Sequence, residues 1–303
     1  MNAKASSSPL VSVVVTTHYR NDRLGAAIES VRAQTYDPVE ILVVDDSGER
    51  HAEPVAEAYD VPYVGFEENR GANVARTVGT RRTDGTYVQY LDDDDRLHPR
   101  KLERQVARLE ETPDAGVAYC GMEFETGGVV RPDPSTQGDV LEEALAFELY
   151  PCQTTTMLAS RAVVEDALPW KNRPGADDFG RMIELARRTE FVAVDDPLVV
   201  RGVIADSRGK SMGVYHGRME IIDEYAALYG RYPSSVRDRA LADTYEFRAR
   251  TLMDDTGWSP GAVAAFGRAA RHGRSPRLVG LAVASLLGSP GLRLGARLYG
   301  TLG

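Results

Sequence analysis

Four short runs of β-branched and aromatic residues, at 11–16 (VSVVVT), 40–45 (EILVVD), 63–66 and 87–91, constrain what this chain can fold into more than any other feature. Each is nearly continuous in apolar character, the pattern of strands covered on both faces. Helical patterns lie between them. Leu24, Ala27, Ile28 and Val31 keep the spacing of one helix face, 52–59 and 72–82 read as helices, and Pro99 opens another over 100–111 with Leu102, Val106 and Leu109 inward. Strand and helix thus alternate to about residue 112, which predicts an open, mostly parallel α/β sheet with right-handed crossovers and helices on both faces. Ligands of such sheets bind beyond the carboxyl ends of the strands.

The pattern then changes. Segments 117–124, 129–131 and 154–159, with the Gly127-Gly128 turn, predict antiparallel additions to the sheet. After Arg201 the chain reads as helical, with a stripe of Met219, Ile222, Tyr225, Ala226 and Tyr229 and further helices at 236–253, 260–271 and 276–287. The expected organisation is a flexible N-terminus over 1–9, a main α/β domain over 10–205 and a C-terminal helical region over 206–303.

Thirty-six basic against 45 acidic residues leave a net charge of −9 with no long basic run, so a nucleic-acid partner is not expected. Cys120 and Cys152, the only cysteines, are too few for a disulfide framework and read as reduced thiols in a cytoplasmic protein. The apolar run at 10–15 is too short for an export signal. The stretch 278–288 has 11 residues, where a spanning helix needs about 20.

Three of the strand ends carry polar groups. Tyr90-Leu91 runs into Asp92, Asp93, Asp94 and Asp95, four carboxylates whose mutual repulsion calls for a cation or a basic group. Strand alternation would turn Asp92 and Asp94 one way and Asp93 and Asp95 the other. Hard oxygen donors suit Mg²⁺ or Mn²⁺; the same acids also suit a solvated turn before the Pro99 helix. Asp45-Asp46 closes a second strand, and Thr16-Thr17-His18-Tyr19 the first. Carboxylates and hydroxyls there can hydrogen-bond a base or ribose, with His18 or Tyr19 as a stacking face, or cap the following helices.

These segments, VSVVVTTHYR, AIESVRAQTYDPVEILVVDDS and NRGANVARTVGTRRTDGTYVQYLDDDD with the following HPRKL, resemble the family-2 glycosyltransferases over roughly residues 10–200. The resemblance implies a GT-A type, Rossmann-like sheet and an inverting enzyme that moves a sugar from a nucleotide-diphosphate donor, UDP-linked, to a glycan or lipid-linked acceptor. It places Thr16 and His18 beside the base, Asp46 on the base edge, Asp93 near the ribose and Arg76 near the nucleotide or its phosphates. Asp94 becomes the principal ligand of Mn²⁺ or Mg²⁺, with Asp92 beside it. Two positions depart from the family's pattern: Pro-Thr-Tyr-Asn reads Thr16-Thr17-His18-Tyr19, and Ala-Arg-Asn reads Ala75-Arg76-Thr77.

The family places an acid at the start of a later helix, and Asp177-Asp178-Phe179 occupies that slot. Asp178 is the expected base, taking the proton that the acceptor hydroxyl loses as the new bond forms. Arg201, Arg208 and Lys210 either close over the phosphates or are solvated surface charges. Arginines at 268, 271, 274, 277, 293 and 297 flank the apolar segment 278–287, which either packs on the catalytic domain or lies in a membrane interface at the inner face of the cell membrane. Two other classes compete. A sugar nucleotidyltransferase would need a Gly-rich basic phosphate loop after the first strand, which is missing, and a noncatalytic nucleotide-sugar-binding module would have no need of both Asp94 and Asp178.

Overall fold

The computed structural model describes residues 8–173, 175–203 and 211–299. β1 (Val11–Thr17), α1 (Asn21–Arg32), β2 (Val39–Asp45), α2 (Glu53–Ala58), β3 (Tyr63–Gly65), α3 (Ala72–Arg81) and β4 (Tyr87–Asp92) alternate as expected. β1 pairs in parallel with both β2 and β4, and β2 with β3. Every residue of β1 is buried, which its unbroken β-branched run anticipates. Val11, Val13 and Val15 join Leu24, Ala27, Ile28 and Val31 of α1 in one cluster. Val14, one residue out of phase, points to the other face and meets α3, where a Cβ on Gly79 would lie 2.3 Å from its Cγ1. Glycine at 79 thus lets α3 settle against the strand, and helices cover both faces.

The second half of the sheet is built from β5 (Arg96–Leu97), α4 (Lys101–Glu110), β6 (Ala115–Phe124), β7 (Val129–Val130), α5 (Leu141–Ala146), β8 (Met157–Ser160), α6 (Arg161–Ala167), α7 (Asp177–Ala186) and β9 (Glu190–Arg201). The order across the sheet is β3-β2-β1-β4-β8-β6-β9-β5, with β7 paired to β6. β6 is antiparallel to β7 and β8, and β8 to β4, as the sequence predicts. The ladder of β8 begins only at Met157, because Gln153 to Thr156 form a turn in which the Thr156 hydroxyl donates to the carbonyls of Pro151 and Gln153. β9 escapes a periodicity reading: Asp195-Asp196-Pro197 interrupts it, and the ladder to β6 absorbs the interruption as register shifts around Gly121.

Two compact units divide the chain. The first comprises Met1–Leu141, Leu149–Asn172 and Arg181–Ala205; the second comprises Glu142–Glu148, Arg173–Gly180 and Asp206–Gly303. The second contains α8 (Met212–Glu224), α9 (Ala226–Tyr229), α10 (Ser234–Thr256), α11 (Pro260–Gly273), α12 (Pro276–Ala284), a 3-10 turn (Ser285–Leu287) and α13 (Gly288–Tyr299). The expected stripe over 219–229 is divided at Tyr225, and the helix expected over 276–287 gives way at Ser285, where Gly288 at φ +69° turns the chain into α13. α11 and α12 each start on a capping serine followed by proline, with Ser259 accepting from the Ala262 N–H and Ser275 from the Leu278 N–H. Ala262, Ala265, Phe266 and Ala269 of α11 pack with Ala249, Met253, Leu278 and Leu281. Among the described residues no helix is long and apolar enough to cross a membrane.

Candidate nucleotide-sugar site

Because β1, β2 and β4 run in parallel register, their carboxyl ends bring the three polar constellations together in the first unit. Thr16 pairs with Asp92 across the ladder and is buried. His18 follows in the loop; its N–H donates to Asp93 Oδ2 at 3.2 Å, and its Nδ1 lies 3.1 Å from the Asp46 carbonyl and 3.2 Å from Asn69 Nδ2. Tyr19 takes φ +59°, stands half-exposed edge-on to His18 and donates its hydroxyl to the Ser47 carbonyl. The Asp46 carboxylate accepts from the Arg70 N–H at 2.6 Å and the Gly71 N–H at 2.9 Å, so it fastens the loop that leads into α3. Asp45 does the same for the loop after β2, accepting from Ser47, Ala52 and the Tyr63 hydroxyl; burial works against its ionisation, but these donors hold its carboxyl below the usual range.

Strand alternation ends at Asp92, since the Asp95 N–H donates to the Asp92 carbonyl and closes a tight turn. The four carboxylates are therefore sorted by partners rather than by faces. Asp92 accepts from Arg76 Nη2 at 2.6 Å. Asp93, buried, meets Arg20 Nη1 at 2.8 Å, and the same guanidinium lies 3.6 Å from Asp94. Asp95, also buried, accepts from the Thr155 hydroxyl at 2.6 Å and from the Gly202 N–H at 3.1 Å. Burial, then the charges of Asp92 and Asp93, push the Asp94 carboxyl up to about 6. Burial pushes Asp95 up to about 7 against the pull of Arg201. Asp93, Asp94 and Asp95 line an open cleft of about 280 Å³ together with Arg23, Arg96 and Glu125.

Among the described residues no group of three or more histidine, cysteine or acidic side chains is arranged to enclose a metal ion. The donor set fits a divalent ion bound from one side: carboxylate oxygens in surplus over their cationic partners at Asp94, with space in front for phosphate oxygens to complete the shell. Arg20 is the residue the sequence pattern does not single out. Its signal was its position closing the VSVVVTTHYR run directly after a strand end opposite acidic groups.

Arg76 is buried in α3, and its Nη1 also donates to Asn73 Oδ1 at 3.1 Å. Asn73 Oδ1 accepts in addition from Arg181 Nη1 at 2.8 Å, and Arg181 is packed near the rings of Tyr90 and Trp170. Asp92 is in this way anchored through a buried relay to α7. Asp178 stands in the first turn of α7, partly buried, within the second unit; Asp177 beside it accepts from the Arg173 N–H at 2.5 Å. Thr16, His18, Asp46, Arg76, Asp92, Asp93 and Asp94 all belong to the first unit. Arg201 ends β9, whereas Arg208 and Lys210 lie outside the described residues.

A parallel half-sheet ending in a carboxylate turn, continued by a mixed half in which β8 runs antiparallel to β4 and β6 while β9 runs parallel to β6, and followed by helices, is the GT-A type of α/β fold. Residues 12–166 match the profile of glycosyl transferase family 2, and the chain belongs to that family. A glucosyl-dolichyl phosphate glucuronosyltransferase of Haloferax volcanii is 36% identical over 129 residues, 41% of this chain and 39% of that protein. The chain spans about two fifths of the length of the curated relatives it matches. Two solved structures share the fold: S. aureus TarS 1-349 in complex with UDP-GlcNAc, at TM-score 0.65 and 17% identity over 95% of this chain and 91% of that one, and the mannosyltransferase PcManGT from Pyrobaculum calidifontis in complex with GDP-Man and Mn²⁺, at 0.60 and 21% over 97% and 86%.

Proposed function

We propose that this chain is an inverting glycosyltransferase that moves a sugar from a nucleoside-diphosphate sugar, UDP-linked, to the hydroxyl of a glycan or lipid-linked acceptor. The observation that carries the reading is the convergence of Thr16, His18, Asp46 and the acidic turn at 92–95 at three parallel strand ends. Thr16 and His18 flank the base, Asp46 and Asp93 reach its edge and the ribose, and Asp94 with Asp92 holds the ion. Arg76 acts on the nucleotide side by holding Asp92 in place. A divalent ion supplies charge that offsets the diphosphate as it leaves, so no acid has to protonate it. The acceptor oxygen attacks the anomeric carbon, the bond from that carbon to the diphosphate oxygen breaks, and the hydroxyl proton passes to the Asp178 carboxylate. The bound UDP-GlcNAc and GDP-Man of the structural neighbours support a nucleotide-sugar donor, and the Haloferax relative's name supports a lipid-linked acceptor.

The test is a panel of UDP- and GDP-sugars read by calorimetry and by donor turnover, with Mn²⁺ and with excess chelator. Asp94→Ala is expected to abolish metal-dependent donor binding, and undiminished binding in chelator would overturn the metal role. Asp178→Asn is expected to keep donor affinity and lose transfer by roughly 100-fold, the scale of general-base effects. Transfer at the parent rate would move the base to Asp177. Donor binding without any turnover across the panel would favour a noncatalytic module.

A further inference from the structure

The last 48 residues, 256–303, contain six arginines and no acidic residue, while the rest of the chain carries 30 basic and 45 acidic residues. The same region holds six of the ten large hydrophobic side chains exposed among the described residues: Trp258, Val279, Val283, Leu286, Leu287 and Leu294. In α12 the spacing of Val279 and Val283 places them along one face, and Leu286 and Leu287 follow in the 3-10 turn that ends the helix. Leu278 and Leu281 occupy the other face, packed on α10 and α11. Between Arg277 and Ser285 there is no polar side chain, so the helix is apolar on its buried face and on its exposed one. A helix of a water-facing surface carries polar residues on the latter. Leu286 and Leu287 are 61% and 72% exposed. Trp258 stands next to them, since a Cβ on Gly288 would lie 3.2 Å from its Cβ and the Ser289 N–H donates to the Gly257 carbonyl.

We infer that this face is a docking surface for an anionic lipid membrane, on which the protein lies without crossing. Leucine and valine side chains enter the boundary between headgroups and acyl chains, Trp258 sits at headgroup level, and Arg271, Arg274 and Arg293, all exposed, face the lipid phosphates. A second copy of this chain fits the face less well, because a two-fold contact would set the arginine-bearing surface against itself. The inference concerns attachment and stands apart from the transfer chemistry proposed above.

The experiment is co-sedimentation of the full chain with vesicles of phosphatidylcholine alone and of an equimolar mixture with phosphatidylglycerol, at low and high salt. Binding is expected to the mixed vesicles only, with release by salt. Leu286→Ser with Leu287→Ser is expected to weaken partition by about 100-fold or more, the scale of two leucines returned to water. Arg271→Gln, Arg274→Gln and Arg293→Gln together are expected to weaken it and to flatten the salt dependence. All these positions are exposed, so circular dichroism melts should match the parent, and UDP-sugar binding in the absence of vesicles reads the donor site separately. Absence of binding to the mixed vesicles overturns the inference, as does equal binding by parent and variants. A dimer in sedimentation velocity that the leucine variant dissolves, without vesicle binding, would assign the face to self-association instead.

Discussion

Lys101 is a cation that the fold keeps from water. It is fully buried in the first turn of α4, and its Nζ donates to the side-chain oxygens of Gln89 and Gln105. Those amides pass the hydrogen bonds on, Gln105 Nε2 to the Ala118 and Thr156 carbonyls and Gln89 Nε2 to Thr155. Thr155 in turn donates to Asp95, so this buried network reaches the acidic turn. Burial lowers the Lys101 pKa from 10.5 to about 8. With the folded value depressed, the unfolded chain binds more protons between pH 8 and 10.5, and stability attributable to Lys101 rises with pH across that window. The gain is on the order of 3 kcal/mol. Urea unfolding of the parent and of Lys101→Met at pH 7 and pH 10 should show the parent gaining relative to the variant; a constant difference would mean that Lys101 stays charged throughout.

At the scale of elements, the end of β9 shapes the acidic turn from outside it. A Cβ on Gly202 would lie 2.1 Å from the Asp94 carbonyl oxygen, while the Gly202 N–H holds Asp95. Backbone cannot yield as a flexible side-chain tip can, so Gly202→Ala must displace the turn. We expect a cost of about 1–3 kcal/mol in thermal stability, as for other overpacked sites. Calorimetry with UDP and Mn²⁺ should show a loss of affinity larger than that of an alanine placed at exposed Gly127, and an unchanged affinity would dissociate β9 from the site. None of this is legible in the local sequence, because Gly202 and Asp94 meet only through the pairing of β5 with β9. The parallel strands were legible, being uniform apolar runs, whereas the broken run of β9 and the late start of β8 depended on partners across the sheet.

On the scale of the whole molecule, the second unit centres on one guanidinium. Arg218 of α8 lies 4.4 Å from the Phe179 ring, 5.3 Å from Phe247 and 5.6 Å from Phe147, and pairs with Asp243 at 2.6 Å. These residues come from four separate stretches of chain. The Arg218 side chain is 11% exposed and that of Asp243 51%, so Asp243 can return to water when its partner is removed. Arg218→Ala should therefore cost about 2–3 kcal/mol through lost contact with the rings, and Asp243→Asn, which keeps an oxygen to accept from the nearly buried guanidinium but removes the charge, about 1–2 kcal/mol. Denaturant unfolding of both variants checks the order; equal costs would mean that the ion pair dominates.

By itself the sequence determined the alternating α/β order, both sheet faces, the strand ends that carry Thr16, His18, Asp46 and Asp92, and the capped starts of α11 and α12. These follow from interactions between near neighbours: side-chain periodicity, β-branching, proline and cap chemistry. Only the tertiary structure decided that Arg20 pairs with Asp93 and stands beside Asp94, that Arg76 and Arg181 share Asn73, that Gly202 abuts the turn, and that α12 keeps an apolar face outward. Each of those depends on residues far apart in the chain, brought within hydrogen-bond or van der Waals distance by strand register and helix packing, and no local pattern encodes such distances.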